Sequence, residues 1–84
     1  MDTPLIEADL IRFLENNILS EGQKLSADKI LRDVGIDSFS IVEILLFIER
    51  KYGFVIPDEK LMPEHFKTVH TIALLVKEIS EKGN

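Results

Sequence analysis

Eighty-four residues leave room for one small domain, 1–84, and none for a second catalytic lobe. Hydrophobic residues make up 45% and charged residues 30%, a globular balance that argues against disorder. A formal charge of −5 disfavours nucleic acid and anionic membrane surfaces, and the absence of cysteine removes disulfides, thiolate catalysis and thiolate metal ligands.

No apolar stretch reaches the ~18 residues that span a bilayer, and the N-terminus lacks a basic region followed by an apolar run. A cytoplasmic protein with no membrane span is therefore expected. Thr3-Pro4 predicts a first helix, with Thr3 as N-cap and Pro4 at the first helical position. Its inward face is Ile6, Leu10, Phe13, Leu14 and Asn17, and it fades around Asn16 to Leu19. Ser20 to Gly35 reads as a long loop holding Gly22 and Gly35. Leu25, Ile30, Leu31 and Val34 would anchor it to the core, with a helical turn after Ser26.

The second helix carries the clearest signals. Ser38 or Ser40 can cap it, and Ser40-Ile41-Val42-Glu43 fits a capping box. Arg50 and Lys51 complement the dipole of its last turn, Gly53 suits a left-handed C-cap, and Pro57 prevents continuation. At about 100° per residue, Ile41, Ile44, Leu45, Ile48 and Tyr52 share one side. Phe39, Val42 and Leu46 share another, beside Glu43, Glu49 and Arg50. One helix in so small a domain cannot bury both. The second strip is therefore expected to be exposed and to contact partners.

Tyr52 to Ile56 is briefly β-prone, without sustained alternation. Pro57-Asp58-Glu59 reads as a turn, and Pro63 to Lys67 as a short helical turn. Thr68 caps a last helix with Val69, Ile72, Ala73, Val76 and Ile79 on its apolar face. The expected fold is all-α: a small antiparallel bundle of three main helices plus one short helix, with a long structured first loop.

Chemistry is sparse. His65, His70 and Glu64 match no compact metal-ligand spacing, and two solvated histidines near a helix start account for them. Asp58-Glu59 belong in a turn, and the scattered glycines form no phosphate-cradling loop. Ser38, His65 and Asp37 make a triad only on paper, because the chain is too short to build a water-excluding cleft and an oxyanion hole. There remains Gly35-Ile36-Asp37-Ser38-Phe39 at the mouth of the second helix. Asp37 and Ser38 are read as capping residues. An exposed Ser38 beside free amides at the positive end of the dipole also tolerates a phosphate on its oxygen.

Asp37-Ser38-Phe39 resembles the Asp-Ser-Leu signature of acyl carrier proteins, with Phe39 in place of Leu. Val34-Gly35-Ile36-Asp37-Ser38, then Val42-Glu43, Ile56-Pro57-Asp58-Glu59 and Phe66-x-Thr68-Val69-x-x-Ile72-Ala73 are similar to that family at its spacing. The likeness runs from Leu5 to Ile79. It implies a carrier and not an enzyme. A phosphopantetheinyl transferase would move 4'-phosphopantetheine from coenzyme A onto Ser38, with Asp37 as the acidic neighbour recognised in that transfer. The arm's thiol would then carry acyl groups as thioesters in fatty acid, lipid or secondary-metabolite synthesis.

Phe39, Val42, Glu43, Leu46 and Glu49 carry over to the face that partner enzymes dock on. Those partners are acyl- or aminoacyl-loading ligases, ketosynthases and acyltransferases, and a monomer is implied. Arg50-Lys51 departs from the acidic helix end of housekeeping fatty-acid carriers, so the reading leans to a specialised stand-alone carrier. An aminoacyl or peptidyl carrier of nonribosomal synthesis fits the same residues. A cofactor-free helical adaptor is the alternative of a different class.

Overall fold

A computed structural model describes residues 2–83 of the chain. Its regular elements, among the described residues, are all helical: α1 (Thr3–Asn17), α2 (Ser38–Tyr52) and α3 (Val69–Gly83), with 3₁₀ turns at Leu31–Val34, Asp58–Lys60 and Pro63–Phe66. The all-α expectation holds. The short helical turn expected at Pro63 to Lys67 is present as Pro63–Phe66, and two further 3₁₀ turns, Leu31–Val34 and Asp58–Lys60, join it.

α1 begins one residue earlier than Thr3-Pro4 suggests. Asp2 is the extended N-cap residue, and its carbonyl accepts the Leu5 and Ile6 amides, each at 3.1 Å. Proline fits anywhere in the first turn, where no N–H is required, so it marks a helix start only to within a residue. Ile6, Leu10 and Leu14 are fully buried, as their spacing predicts. Asn17 is not part of that face: it is exposed, and its side-chain amide donates to the Phe13 carbonyl at 3.0 Å, closing the helix end.

The first loop is structured by anchors. Leu25 and Leu31 are buried, whereas Ile30 is 40% exposed and does not serve as one. The Leu25 amide donates to the Glu15 carboxylate at 2.9 Å, the Leu31 amide to the Lys67 carbonyl at 2.8 Å, and the His70 amide to the Ala27 carbonyl at 2.8 Å. After Ser26 the chain makes a turn, and the helical winding comes later, at Leu31–Val34.

α3 is capped reciprocally. The Thr71 amide donates to the Thr68 hydroxyl at 3.0 Å, and the Thr68 amide to the Thr71 hydroxyl at 3.1 Å. Val69, Ile72, Ala73 and Val76 are buried, joined by Leu75, and α1 packs more extensively on α3 than on α2. Tyr52 to Ile56 forms no strand; Ile56 plugs the core while Phe54 lies near the Tyr52 ring at 6.4 Å between centroids. No helix among the described residues is long and apolar enough to cross a membrane.

Candidate functional site

The approach to α2 is set by a backbone reversal at Gly35. Its φ of 92° lies in the left-handed region, where a residue without Cβ is unstrained. The Gly35 amide donates to the Arg32 carbonyl and the Ile36 amide to the Leu31 carbonyl, at 3.2 and 3.1 Å. This turn drives Ile36 into the core at 7% exposure and leaves Asp37 and Ser38 outside.

Asp37 is the N-cap of α2, and neither Ser38 nor Ser40 fills that role. Asp37 Oδ1 accepts from the Ser40 amide at 3.0 Å and from the Ser40 hydroxyl at 3.2 Å. Serine and aspartate are equally good N-caps, so three candidates within four residues leave the choice to the loop that delivers them. The hydrogen bond from the Ser40 amide holds the Asp37 carboxyl below its ordinary range, against a smaller opposing effect of desolvation. Ser40 is buried at 8%. Ser38 occupies the first helical position, exposed, and no hydrogen bond among the described residues engages its hydroxyl. An oxyanion attached there would sit at the positive end of the helix.

Beside Ser38 opens a cleft of about 970 Å³, within the usual size of ligand pockets. Ile36, Ile41 and Leu45 line it together with Leu61, Met62 and Phe66. The outer strip of α2 is exposed as expected: Phe39 by 82%, Val42 by 53% and Leu46 by 45%, with Glu43, Glu49 and Arg50 also exposed. Lys51 is not on this strip. It lines a small groove against α1 with Arg12, Phe13 and Phe47, whose rings stack at 4.5 Å. Sequence reasoning missed Leu61 and Met62, which line the cleft and are 39% and 47% exposed. Their only signal was two apolar residues stranded between a turn and a proline.

The other candidates do not assemble. His70 Nδ1 pairs with the Glu7 carboxylate at 2.6 Å, and no group of three potential ligands among the described residues could hold a metal. His65 does not line the cleft, and the Asp37 carboxylate faces Ser40. Asp58 and Glu59 are exposed in their 3₁₀ turn.

A family model described as "Phosphopantetheine attachment site" matches residues 11–76. The acyl carrier protein of Rhodococcus erythropolis is 34% identical over 79 residues, covering 93% of this chain and 85% of that protein. Aminoacyl carrier protein 1 of Bradyrhizobium diazoefficiens is 35% identical over 63 residues, 75% of this chain and 68% of that protein. A chain in the crystal structure of Bradyrhizobium japonicum glycine:[carrier protein] ligase, complexed with its cognate carrier protein and an analogue of glycyl adenylate, superposes with a TM-score of 0.72. It is 29% identical, and the match covers 90% of this chain and 96% of that one.

Proposed function

Because this chain belongs to the acyl carrier protein family, we propose that Ser38 is its attachment residue and that the exposed strip of α2 receives its partner enzymes. The chain is a carrier protein, not a catalyst, and its cofactor is phosphopantetheine. The single observation that supports Ser38 is its place. It is the exposed first residue of α2, on the rim of the cleft and inside the matched region.

The bound group supplies a terminal thiol, which a chain without cysteine lacks. The protein's own residues do the rest. Gly35 and Ile36 aim the hydroxyl outward, and Asp37 fixes the first turn with Oδ1. Neither hydrogen bond from Ser40 uses Asp37 Oδ2, leaving that oxygen for a transferase to recognise. Phe39, Val42 and Leu46, flanked by Glu43 and Glu49, offer apolar area and negative charge to a docking enzyme with basic groups. Loading ligases, ketosynthases and acyltransferases are the enzyme classes that would use such a face, on a monomeric cytoplasmic carrier of one domain.

Arg50 at the far end of the strip favours a specialised pathway over housekeeping fatty acid synthesis. An aminoacyl cargo is the second reading. It is favoured by the likeness to Bradyrhizobium aminoacyl carriers and to a carrier chain seen with a glycine ligase. Incubation with coenzyme A and a broad-specificity phosphopantetheinyl transferase, read by intact mass, tests Ser38. One added phosphopantetheine on the native chain and none on Ser38→Ala is the expected result. Addition to the Ser38→Ala variant would remove Ser38 from the site, and no addition to either chain would favour a cofactor-free adaptor. Loading of the modified chain by glycine and alanine ligases, compared with acyl ligases, separates the two cargoes.

A further inference from the structure

We propose that Arg32 and Lys67 form an anion subsite in the Ser38 cleft, taking an oxyanion delivered by the arm. The inference rests on the Ser38 reading and adds a ligand chemistry to it.

The two cations come from separate elements. Arg32 lies in the Leu31–Val34 turn, and Lys67 follows the Pro63–Phe66 turn. The hydrogen bond from the Leu31 amide to the Lys67 carbonyl, at 2.8 Å, brings these two segments side by side. Both residues line the same cleft as Asp37 and Ser38, and both are exposed. Neither forms an ion pair with an acid among the described residues. The three ion pairs among the described residues join Lys60 and Lys82 to Glu78, and His70 to Glu7.

Two cations on adjoining segments, in no ion pair among the described residues, run against the trend of a chain with net charge −5. Their mutual repulsion falls when an anion sits between them. Two acids share the cleft and compete with a ligand for this charge: Asp37, which stays anionic while its Oδ1 accepts from Ser40, and Glu64, which is exposed and in no ion pair among the described residues. An oxyanion must therefore contact both cations at once to outweigh the repulsion of the two carboxylates. A carboxylate or phosphate meets a guanidinium through two parallel hydrogen bonds and an ammonium as a point charge, so either suits this pair. The apolar walls at Ile41, Leu45 and Phe66 leave room for a short methylene chain behind it.

An oxyanion can reach the pair from two sources. One is the phosphodiester formed on Ser38 itself, and the other is a carboxylate at the far end of the cargo. The test uses the unmodified protein and three modified forms, holo, butyryl-loaded and succinyl-loaded, each verified by intact mass. Thermal midpoints are read at low salt for the native chain and for Arg32→Gln with Lys67→Gln. A held cargo carboxylate makes the succinyl form melt above the butyryl form. A held phosphodiester makes all three modified forms melt equally above the unmodified chain. Either gain is expected to be about two- to fivefold in the folding equilibrium, the scale of exposed charge pairs. It should vanish in the double variant and in about 1 M salt, where the Debye length is ~3 Å. If no form shows a gain sensitive to the two substitutions, the subsite is wrong. A chain that takes up no phosphopantetheine overturns the Ser38 reading instead. Titration of that unmodified chain with inorganic phosphate then decides the subsite alone: saturable shifts of the Arg32 and Lys67 amides support it, and their absence overturns it.

Discussion

Asp37 and Ser40 close the first turn of α2 through one carboxylate oxygen, which accepts both the Ser40 amide at 3.0 Å and the Ser40 hydroxyl at 3.2 Å. The arrangement gives the aspartate two separable tasks. Oδ1 holds the helix start, while the carboxylate as a whole carries a negative charge on an exposed residue next to Ser38, where the proposed transferase would meet it. Asp37→Asn retains an acceptor for the Ser40 amide but loses that charge. It is expected to fold with a small loss of stability and to be modified more slowly. Asp37→Ala should lose both. Thermal midpoints and transferase initial rates, measured on the same samples, check the separation; equal rates for native and Asp37→Asn protein would leave Asp37 with the cap alone.

The same contact sets an acid limit. The Ser40 amide lowers the Asp37 carboxyl below its ordinary range, so the folded state favours the charged form. The resulting stability is fully present above the unfolded carboxyl value of ~3.9 and is lost as pH falls through the lower folded value. The native chain should therefore keep its advantage over Asp37→Asn at pH 5–7 (about neutral and just below), and the two unfolding curves should converge below pH ~4. Urea midpoints across that range provide the measurement.

At the alkaline end the relevant group is Tyr52, whose hydroxyl donates to Asp9 Oδ2 at 2.8 Å and ties the end of α2 to α1. Burial, then the hydrogen bond and the Asp9 charge, push its ionisation upward. A raised folded value means stability present below the unfolded value of ~10 and lost as pH rises through the folded one. Tyr52→Phe should cost about 1 kcal/mol near neutrality, less than a fully buried charged hydrogen bond because the pair is partly solvated. The native advantage should shrink above pH ~10. Persistence of the full difference there would show that the ring packing, and not the hydroxyl, accounts for it.

Gly53 ends α2 with φ of 81°, and its amide donates to the Glu49 carbonyl at 3.0 Å. A Cβ there would meet nothing within 4 Å, so backbone conformation alone penalises substitution. Gly53→Val is expected to cost about 1–2 kcal/mol, and Gly53→Asn less, since asparagine tolerates the left-handed region. Denaturant midpoints that rank valine equal to glycine would contradict this. Modification of Ser38, at the opposite end of the helix, should be unaffected.

Leu46 and Ile44 provide the contrast between docking and folding. Leu46 is 45% exposed and Ile44 is fully buried. Leu46→Asp should weaken partner binding with a stability change within ~0.5 kcal/mol, whereas Ile44→Ala should cost about 2–5 kcal/mol. Arg50→Glu should improve turnover by housekeeping ketosynthases at low salt, where charges are least screened. Lys51→Glu should not, because Lys51 lies toward α1. Equal effects of the two reversals would misplace the partner face.

The helical wheel of α2 was readable because its two apolar sides differ in burial: Ile44 and Ile48 go inside, Ile41, Leu45 and Tyr52 are half-buried, and Phe39, Val42 and Leu46 stay out. The same wheel put Arg50 beside the strip and Lys51 away from it, since residues adjacent in sequence lie about 100° apart on a helix. The caps were less legible. Thr68 declared itself, but Asp37, Ser38 and Ser40 offered equivalent chemistry, and the choice fell to the Gly35–Ile36 turn. The cleft could not be read at all. It is lined by Ile41 and Leu45 of α2 together with Leu61 and Phe66 of the later loop, and bringing these segments together depends on how the loops fold back, which no local periodicity encodes.

The bonds that tie the first loop to Lys67 and His70 also impose an order on biosynthesis. A nascent chain that has emerged only as far as Phe66 already contains Asp37 and Ser38, yet it lacks the carbonyl that receives Leu31, the amide that binds Ala27, and the wall of α3 on which α1 rests. Loop closure over that sequence distance brings no return until the partner segment exists. The serine is thus translated well before its surroundings are fixed, and a transferase that requires a formed α2 entrance would meet a competent substrate only after Val69–Gly83 has been made.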